Sequence, residues 1–226
     1  MPNLTSFRRH QLRILHPIRV VFAMVPKAGN TSLRRAFHTA LGAGSPNFKV
    51  TDDGFRIGKA IPTDAPIPAD YMRIIMVRNP WSRFMSCYTN KVDGKSREYG
   101  GTKIRGELAR IGCYRNMPFD EFTRLACATD DVAIDKHLAP VHYLIENPEW
   151  GGRPDLILRL ERQPDDWVYL RHIFRSRGGF ELPYDMPRAN NTDYVPKPRW
   201  TRETINLVGD RYARDISLLG YEEPPC

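Results

Sequence analysis

Two segments of the chain show the same pattern, an apolar run that stops at a short polar stretch and is followed by an amphipathic run. The apolar runs are residues 18–25 (IRVVFAMV) and 71–77 (YMRIIMV), and their aliphatic and β-branched composition predicts buried strands. Apolar positions at helical spacing follow over residues 31–41, and again from Trp81, with Pro80 in the first turn. The sequence therefore predicts two consecutive strand–loop–helix units.

The rest of the chain continues this alternation. We predict a third strand over 155–161 and helices over 117–127, 165–174 and, as one long C-terminal helix, 201–220. Gly, Pro and Asp are frequent in residues 42–70, which predicts an irregular excursion with a short strand near 48–51. Residues 93–112 predict a substrate-facing loop that contains a short helix. The alternation is typical of an α/β fold with a mostly parallel central sheet flanked by helices, and the length fits a single domain over residues 1–226.

Composition narrows the class of partner. The net charge of +8 and the pI near 9.5 favour an anionic ligand, and 41% hydrophobic residues fit a folded protein. The apolar run near the N-terminus is too short to span a bilayer and has no cleavage site, which predicts no stable membrane insertion and a cytoplasmic enzyme. The four cysteines have no CxxC spacing, so neither a zinc site nor a disulfide framework is indicated.

The first polar stretch, PKAGNTS, has the features of a phosphate-binding loop. It links a strand to a helix, so the first N–H groups and the positive end of the helix dipole are available to an anion. Lys27 adds a charge, Gly29 permits close backbone approach, and the residues after it carry donors. An ordinary capped turn with an exposed lysine is the simpler alternative. The nucleotide-triphosphatase loop is not present, because the lysine precedes the glycine here.

The second polar stretch places Arg78 at a strand end and Ser86 eight positions later, about two turns into the next helix. Ligands of open α/β sheets bind at the carboxyl ends of the strands, so the two stretches together suit a ligand with two separated phosphates. Taken singly, Arg78 is equally consistent with a surface residue, and Ser86 with a hydroxyl that bonds to its own helix.

These two stretches resemble known motifs. PKAGNTSL is similar to the 5′-phosphosulfate loop of sulfotransferases, and VRNPWSRFMSCYTNKV is similar to their 3′-phosphate motif. The resemblance is to carbohydrate sulfotransferases of the chondroitin 4-O- and HNK-1 type, sulfotransferase family 2. It implies a P-loop-like sulfotransferase fold and the donor 3′-phosphoadenosine-5′-phosphosulfate (PAPS). The implied ligands of the 5′-phosphosulfate are Lys27, Ala28, Gly29, Asn30, Thr31 and Ser32, and those of the 3′-phosphate are Arg78 and Ser86.

Two further segments extend the resemblance. DKHLAPVHYLI (135–145) is similar to a histidine–tryptophan segment of the family, with Leu138 in place of the tryptophan, and YARDISLLGY (212–221) resembles its closing pattern. Sulfuryl transfer needs a base for the acceptor hydroxyl and positive charge on the leaving phosphate. We predict His137 as the base, with His142 second and Asp135 as a carboxylate alternative, and Lys27 at the leaving oxygen. The scheme needs no metal.

The predicted function is sulfuryl transfer from PAPS to a hydroxyl of a carbohydrate or glycoconjugate, by a bacterial-type cytosolic enzyme. A kinase with a variant phosphate loop is the alternative, disfavoured by the missing Walker glycine. A nucleic-acid-binding module fits the charge, but its motifs are lacking and the basic residues are scattered, so no nucleic-acid partner is expected. Residues 190–200 fit a plain loop better than a donor-covering one that brings Lys197 or Arg199 to a phosphate.

Overall fold

The structure is a computed structural model that describes residues 12–41, 48–49, 56–57, 68–93, 104, 106–146, 153–189 and 196–222. Its contacts form two compact units, which are described separately. The first comprises Met1–Val77 and Tyr143–Ala189, and the second comprises Arg78–His142 and Asn190–Cys226. The single domain remains a prediction from sequence.

The described elements follow the predicted alternation. The strands are β1 (Leu12–Leu15), β2 (Val20–Met24), β3 (Phe48–Lys49), β4 (Arg56–Ile57), β5 (Met72–Val77) and β6 (Leu156–Arg159). The α-helices are α1 (Asn30–Leu41), α2 (Pro80–Lys91), α3 (Glu107–Arg110), α4 (Phe119–Ala128), α5 (His142–Ile145), α6 (Gln163–Gly178), α7 (Arg202–Arg211) and α8 (Ala213–Leu219). Two short 3-10 helices span His16–Ile18 and Leu160–Arg162.

The first unit is built on a four-stranded sheet in the order β1-β2-β5-β6. Strand β1 pairs antiparallel with β2, whereas the β2–β5 and β5–β6 pairs are parallel, which confirms the mostly parallel sheet. The register pairs Met24 with Met76, so β2 and β5 end at nearly the same level. The loop after β2 therefore starts at the edge of the sheet where β5 also ends.

One face of this sheet packs against α1 and α6. Alternate residues of the strands, such as Phe22 and Met76, lie in a core cluster with residues from both helices. The ring of Phe37 lies between Phe22, with centroids 5.2 Å apart, and Phe174, at 4.9 Å. This packing fixes α1, and therefore its N-terminus, against the strands that precede the phosphate-loop candidate.

The second unit is helical and has an aromatic core. Helix α7 packs against α2 and α4. The rings that meet in this core are Phe84, Tyr88, Phe119, Phe122, Trp200 and Tyr212. Trp200 is half-buried and packs against this core, with its ring centroid 4.9 Å from that of Phe119.

The prediction of one long C-terminal helix is wrong, because the chain forms α7 and α8 with a break at Tyr212. The backbone of Tyr212 leaves the helical region (φ −107°, ψ 20°), and its side chain is buried. Its hydroxyl donates to the carbonyl of Leu138 at 2.5 Å. Helical periodicity alone does not record such a tertiary contact, so it did not reveal the break.

Candidate functional site

The loop after β2 is a tight turn with two left-handed residues. Lys27 has φ +68° and Gly29 has φ +78°, and the Ala28 N–H donates to the Val25 carbonyl at 3.2 Å. A lysine in this region is uncommon, and such strain clusters at functional sites. Helix α1 then starts at once, with the Leu33 N–H bonded to the Gly29 carbonyl at 3.0 Å. The main-chain N–H groups of residues 30–32 are those for which an α-helix itself supplies no acceptor.

The side chains at the start of α1 are held by the protein. The Asn30 amide donates to the Met24 carbonyl at 3.1 Å, which ties the helix start to the end of β2. The Asn30 Oδ1 is buried and has no hydrogen-bond partner. The Ser32 hydroxyl oxygen accepts from the Ala189 N–H at 3.1 Å and can still donate its own proton. Both residues therefore shape the loop in addition to any contact with a ligand.

The left-handed backbone favours glycine at position 29, and neighbouring side chains leave little room for a Cβ there. A Cβ at this position would lie 2.9 Å from the Cε of Met186 and 3.2 Å from the Cδ1 of Leu160. The expected reason for this glycine is close approach of a phosphate, and the structure adds close approach of neighbouring side chains. Gly29 thus allows the loop to lie close to the side chains of Leu160 and Met186.

In the second unit, Arg78 precedes α2 and Ser86 lies within it. Asn79 caps the helix, because its Oδ1 accepts from the Ser82 N–H at 3.2 Å. From Pro80 to Asn90 every residue is buried except Ser82 and Ser86, which lie four positions apart. Since residues four apart share a helix face, the two serines mark the partly exposed face of α2. Ser82 was missed from sequence, although its i, i+4 spacing from Ser86 was a usable signal.

His137 forms a close pair with Asp135. The Asp135 Oδ1 lies 2.5 Å from the His137 Nδ1 and also accepts from the His137 N–H at 2.8 Å. Burial alone would raise the pKa of Asp135, but the hydrogen bonds from His137 and the charge of Lys91 outweigh it and lower that pKa. Asp135 is therefore ionised near neutral pH and orients the imidazole of His137.

His142 forms a second pair with Asp215 of α8. The Asp215 Oδ1 lies 2.8 Å from the His142 Nδ1 and 2.8 Å from the His142 main-chain nitrogen. The Oδ2 accepts from the Val141 N–H at 2.7 Å, and the Asp215 side chain is 1% exposed. Sequence reasoning missed Asp215 because 73 residues separate it from His142. Its place in the closing pattern YARDISLLGY was the available signal.

Two buried side chains hold the carbonyls between these pairs. Arg83, which is 2% exposed, donates to the carbonyls of His137 at 3.3 Å and of Ala139 at 2.8 Å. Tyr212 donates to the carbonyl of Leu138, and the guanidinium of Arg83 lies 5.3 Å from the centre of its ring. Burial raises the pKa of Tyr212 far above its usual value, so its hydroxyl remains a donor. Together with Asp215, these side chains fix the histidine-bearing segment, residues 135–142.

The chain is similar in sequence to known proteins. The model of the sulfotransferase family matches residues 10–222, which is most of the chain. The chain belongs to the sulfotransferase family. It is also 25% identical over 236 residues to carbohydrate sulfotransferase 14 of Danio rerio, an alignment that covers 91% of this chain and 60% of that relative. The chain thus spans about 60% of the length of the curated relative it matches. No solved structure matches it significantly.

The predicted site residues of this family member occur in two groups. The loop residues 27–32 belong to the first unit, whereas Arg78, Ser86, His137 and His142 belong to the second. Lys197 and Arg199 are exposed residues of the second unit, and residues 190–195 lie outside the described residues. Among the described residues, no helix is long and apolar enough to cross a membrane, and no cluster of potential metal ligands occurs.

Gly29→Ala tests the constraint on the loop between β2 and α1. We expect the free energy of unfolding to fall by more than the roughly 1–2 kcal/mol that a left-handed alanine costs, because the new methyl group also displaces Met186. Urea denaturation measures the change. Gly179→Ala is the matched control, since Gly179 is left-handed (φ +69°, ψ 17°) and an added Cβ would meet nothing within 4 Å. Equal losses in the two variants would show that crowding at Gly29 is unimportant.

Asp135→Asn tests the His137 pair through the pH dependence of stability. Because the pKa of Asp135 is lowered in the folded state, its ionised form stabilises the fold above the unfolded pKa, and this contribution disappears as pH falls through the folded pKa. We expect the wild type to exceed the variant in free energy of unfolding near about pH 5, with a difference that shrinks toward about pH 2. Urea denaturation over this range provides the measurement.

The exposed Asp130 supplies the control for this pH series. Asp130→Asn should follow the wild type across the same range, because an exposed carboxylate gains little from its surroundings. A stability difference between wild type and Asp135→Asn that stays constant from about pH 5 to about pH 2 would contradict the pairing.

Proposed function

We propose that this protein transfers the sulfuryl group of PAPS to a hydroxyl of a carbohydrate or glycoconjugate acceptor. The observation that carries the proposal is the junction between β2 and α1, in a chain that the sulfotransferase family model covers from residue 10 to residue 222. The turn places a left-handed lysine between the end of a parallel strand at Met24 and the start of a helix at Asn30. This is the local geometry that binds phosphate groups.

In this proposal the loop binds the 5′-phosphosulfate of the donor. The N–H groups at the start of α1 point along the helix axis toward an anion, and the helix dipole favours its negative charge. The left-handed backbone of Lys27 sets the direction in which its side chain leaves the turn. We assign the Lys27 ammonium group to the bridging oxygen of the leaving phosphate, where negative charge develops during transfer. Thr31 and Ser32 supply hydroxyl donors, and Ala28, Gly29 and Asn30 supply the shape of the loop.

Arg78 and Ser86 are the proposed ligands of the 3′-phosphate. Ser86 is on the partly exposed face of α2, and Arg78 lies two residues before the start of that helix. A guanidinium can bind a phosphate through two parallel hydrogen bonds. Ser82, on the same face, is a further candidate donor for this phosphate.

The reaction is an in-line displacement at sulfur. The acceptor oxygen forms a bond to sulfur, the bond between sulfur and the 5′-phosphate oxygen breaks, and the acceptor proton moves to a base. The products are the sulfate ester and 3′-phosphoadenosine-5′-phosphate (PAP). His137 is the proposed base, because Asp135 occupies its Nδ1 and stabilises the imidazolium that forms. Asp135 already accepts two hydrogen bonds from His137, which suits an orienting role better than that of the base.

The acceptor class rests on the similarity to carbohydrate sulfotransferase 14. The net charge of +8 is compatible with an acidic glycan. The family match does not favour the alternative of a kinase with a variant phosphate loop. A cytoplasmic location is proposed from the sequence alone, and fractionation of the source cells would test it.

Titration of the protein with PAP in the absence of metal tests the donor site. We expect the wild type to bind, and Lys27→Ala and Arg78→Ala each to weaken binding by roughly tenfold to a hundredfold, since a hydrogen bond to a charged group contributes about 1.5–3 kcal/mol. Isothermal calorimetry gives both the affinity and the stoichiometry.

Arg110→Ala is the control for lost positive charge, because Arg110 lies at an exposed position of α3. Its affinity for PAP should equal that of the wild type. Absence of PAP binding by the wild type, together with clear binding of ATP and Mg²⁺, would overturn the proposed function in favour of the kinase.

His137→Ala tests the base. We expect kcat to fall by about 10²- to 10⁴-fold, the usual contribution of general base catalysis, without a change in PAP affinity. Transfer is measured with a donor radiolabelled in its sulfate, and unsulfated chondroitin and desulfated heparin serve as acceptor probes. His172→Ala, at an exposed position of α6, is the control. A wild-type rate in His137→Ala would remove His137 from the mechanism.

A further inference from the structure

The two histidine–aspartate pairs of the second unit are built differently. Asp135 lies two residues before His137, and its main-chain carbonyl also accepts from the N–H groups of Leu138 and Ala139. This pair is therefore part of a local turn, as short polar side chains often are. Asp215, by contrast, reaches His142 from α8, across 73 residues of sequence. The contact between Asp215 and His142 therefore depends on the tertiary packing of α8 and not on the residues next to His142.

The carboxylate of Asp215 makes three hydrogen bonds to residues outside its own helix α8. Both of its oxygens accept main-chain N–H groups, from Val141 and His142, and the Oδ1 also faces the His142 Nδ1. A carboxylate whose oxygens both accept is an acceptor toward the ring as well, so the Nδ1 must carry the proton. The lone pair of a neutral His142 is then on the Nε2.

We infer that Asp215 is a positioning residue for proton transfer in this enzyme. It holds His142 in the Nδ1–H tautomer and fixes the main chain of the segment that carries His137 and His142. This inference rests on the proposed function, because it takes the proton acceptor of the reaction to lie in residues 135–142.

The surroundings of Asp215 support this role. Arg83 and Tyr212 fix the carbonyls of residues 137–139, and Asp215 fixes the N–H groups of residues 141 and 142. The segment is thus held by side chains from α2, from the break between α7 and α8, and from α8 itself. Asp215 is the member of this set that also contacts an imidazole, so its removal changes the ring as well as the backbone.

Asp215→Asn changes the group that faces the ring, while asparagine keeps the shape of the side chain. An asparagine NH₂ group that faces the ring would donate to the Nδ1, which moves the ring proton to the Nε2. The remaining oxygen would accept from the Val141 N–H, whereas the His142 main-chain N–H, which the Asp215 Oδ1 accepts in the wild type, would lose its acceptor. We therefore expect the variant to fold and bind PAP but to hold His142 in the opposite tautomer.

The first measurement is two-dimensional ¹H–¹⁵N NMR of the imidazole groups in the wild type and in Asp215→Asn, with the His142 signals assigned from His142→Gln. We expect the Nδ1–H tautomer in the wild type and the Nε2–H tautomer in the variant. A wild-type His142 in the Nε2–H tautomer would overturn the inference, whatever the protein catalyses and whether or not the variant folds.

The second measurement is steady-state kinetics with the radiolabelled donor, normalised to the PAP-binding stoichiometry of each preparation. We expect Asp215→Asn to lower kcat by about 10- to 100-fold, as loss of an orienting partner typically does, with an unchanged KM for the donor. Asp210→Asn, at an exposed position of α7, should retain the wild-type kcat.

The outcomes distinguish the inference from the proposed function. If the wild type transfers sulfate and Asp215→Asn does so equally fast per PAP-binding site, the inference fails and the proposed function stands. The inference also fails if the lost activity only parallels a lower PAP stoichiometry, because that indicates misfolding alone. A wild type that binds no PAP and transfers no sulfate contradicts the proposed function, and the NMR tautomer then still decides whether Asp215 sets the state of His142.

Discussion

The parallel pairing of β2 with β5 is the constraint on which the first unit depends. Because Met24 pairs with Met76, the chain leaves β2 at the level where β5 also ends. The turn after β2 must then reverse within a few residues to start α1, and it does so with left-handed Lys27 and Gly29. The same strand pairing that buries the apolar runs therefore places a helix N-terminus and a lysine at the carboxyl edge of the sheet, where α/β proteins bind ligands.

The second unit depends on a different interaction, the buried polar contacts of the histidine-bearing segment. An arginine, a tyrosine and an aspartate that are almost fully buried are costly unless their hydrogen bonds are made. Arg83, Tyr212 and Asp215 donate to, or accept from, the main chain between His137 and His142. Such a network tolerates few alternative arrangements, because any displacement leaves buried groups without partners. Rigidity of this kind suits groups that must accept a proton in a defined direction.

These two constraints suit the proposed sulfuryl transfer. Binding of the donor needs fixed N–H groups and cations, and the transfer step needs an oriented base. Membership of the sulfotransferase family is consistent with both requirements. Acceptor choice is a separate matter that depends on surface loops, which differ among proteins that share a fold.

The sequence by itself determined the order of the main elements and the residues of the phosphate-loop candidate, because apolar periodicity and turn residues act locally. Buried strands over 18–25 and 71–77 and the helix from Pro80 were all predictable on that basis. Only the tertiary structure decided the break at Tyr212, the pairing of Asp215 with His142 and the crowding of Gly29 by Met186. Each of these features depends on a contact between residues far apart in the chain. Such contacts produce no periodic pattern of apolar residues, so the sequence alone does not reveal them.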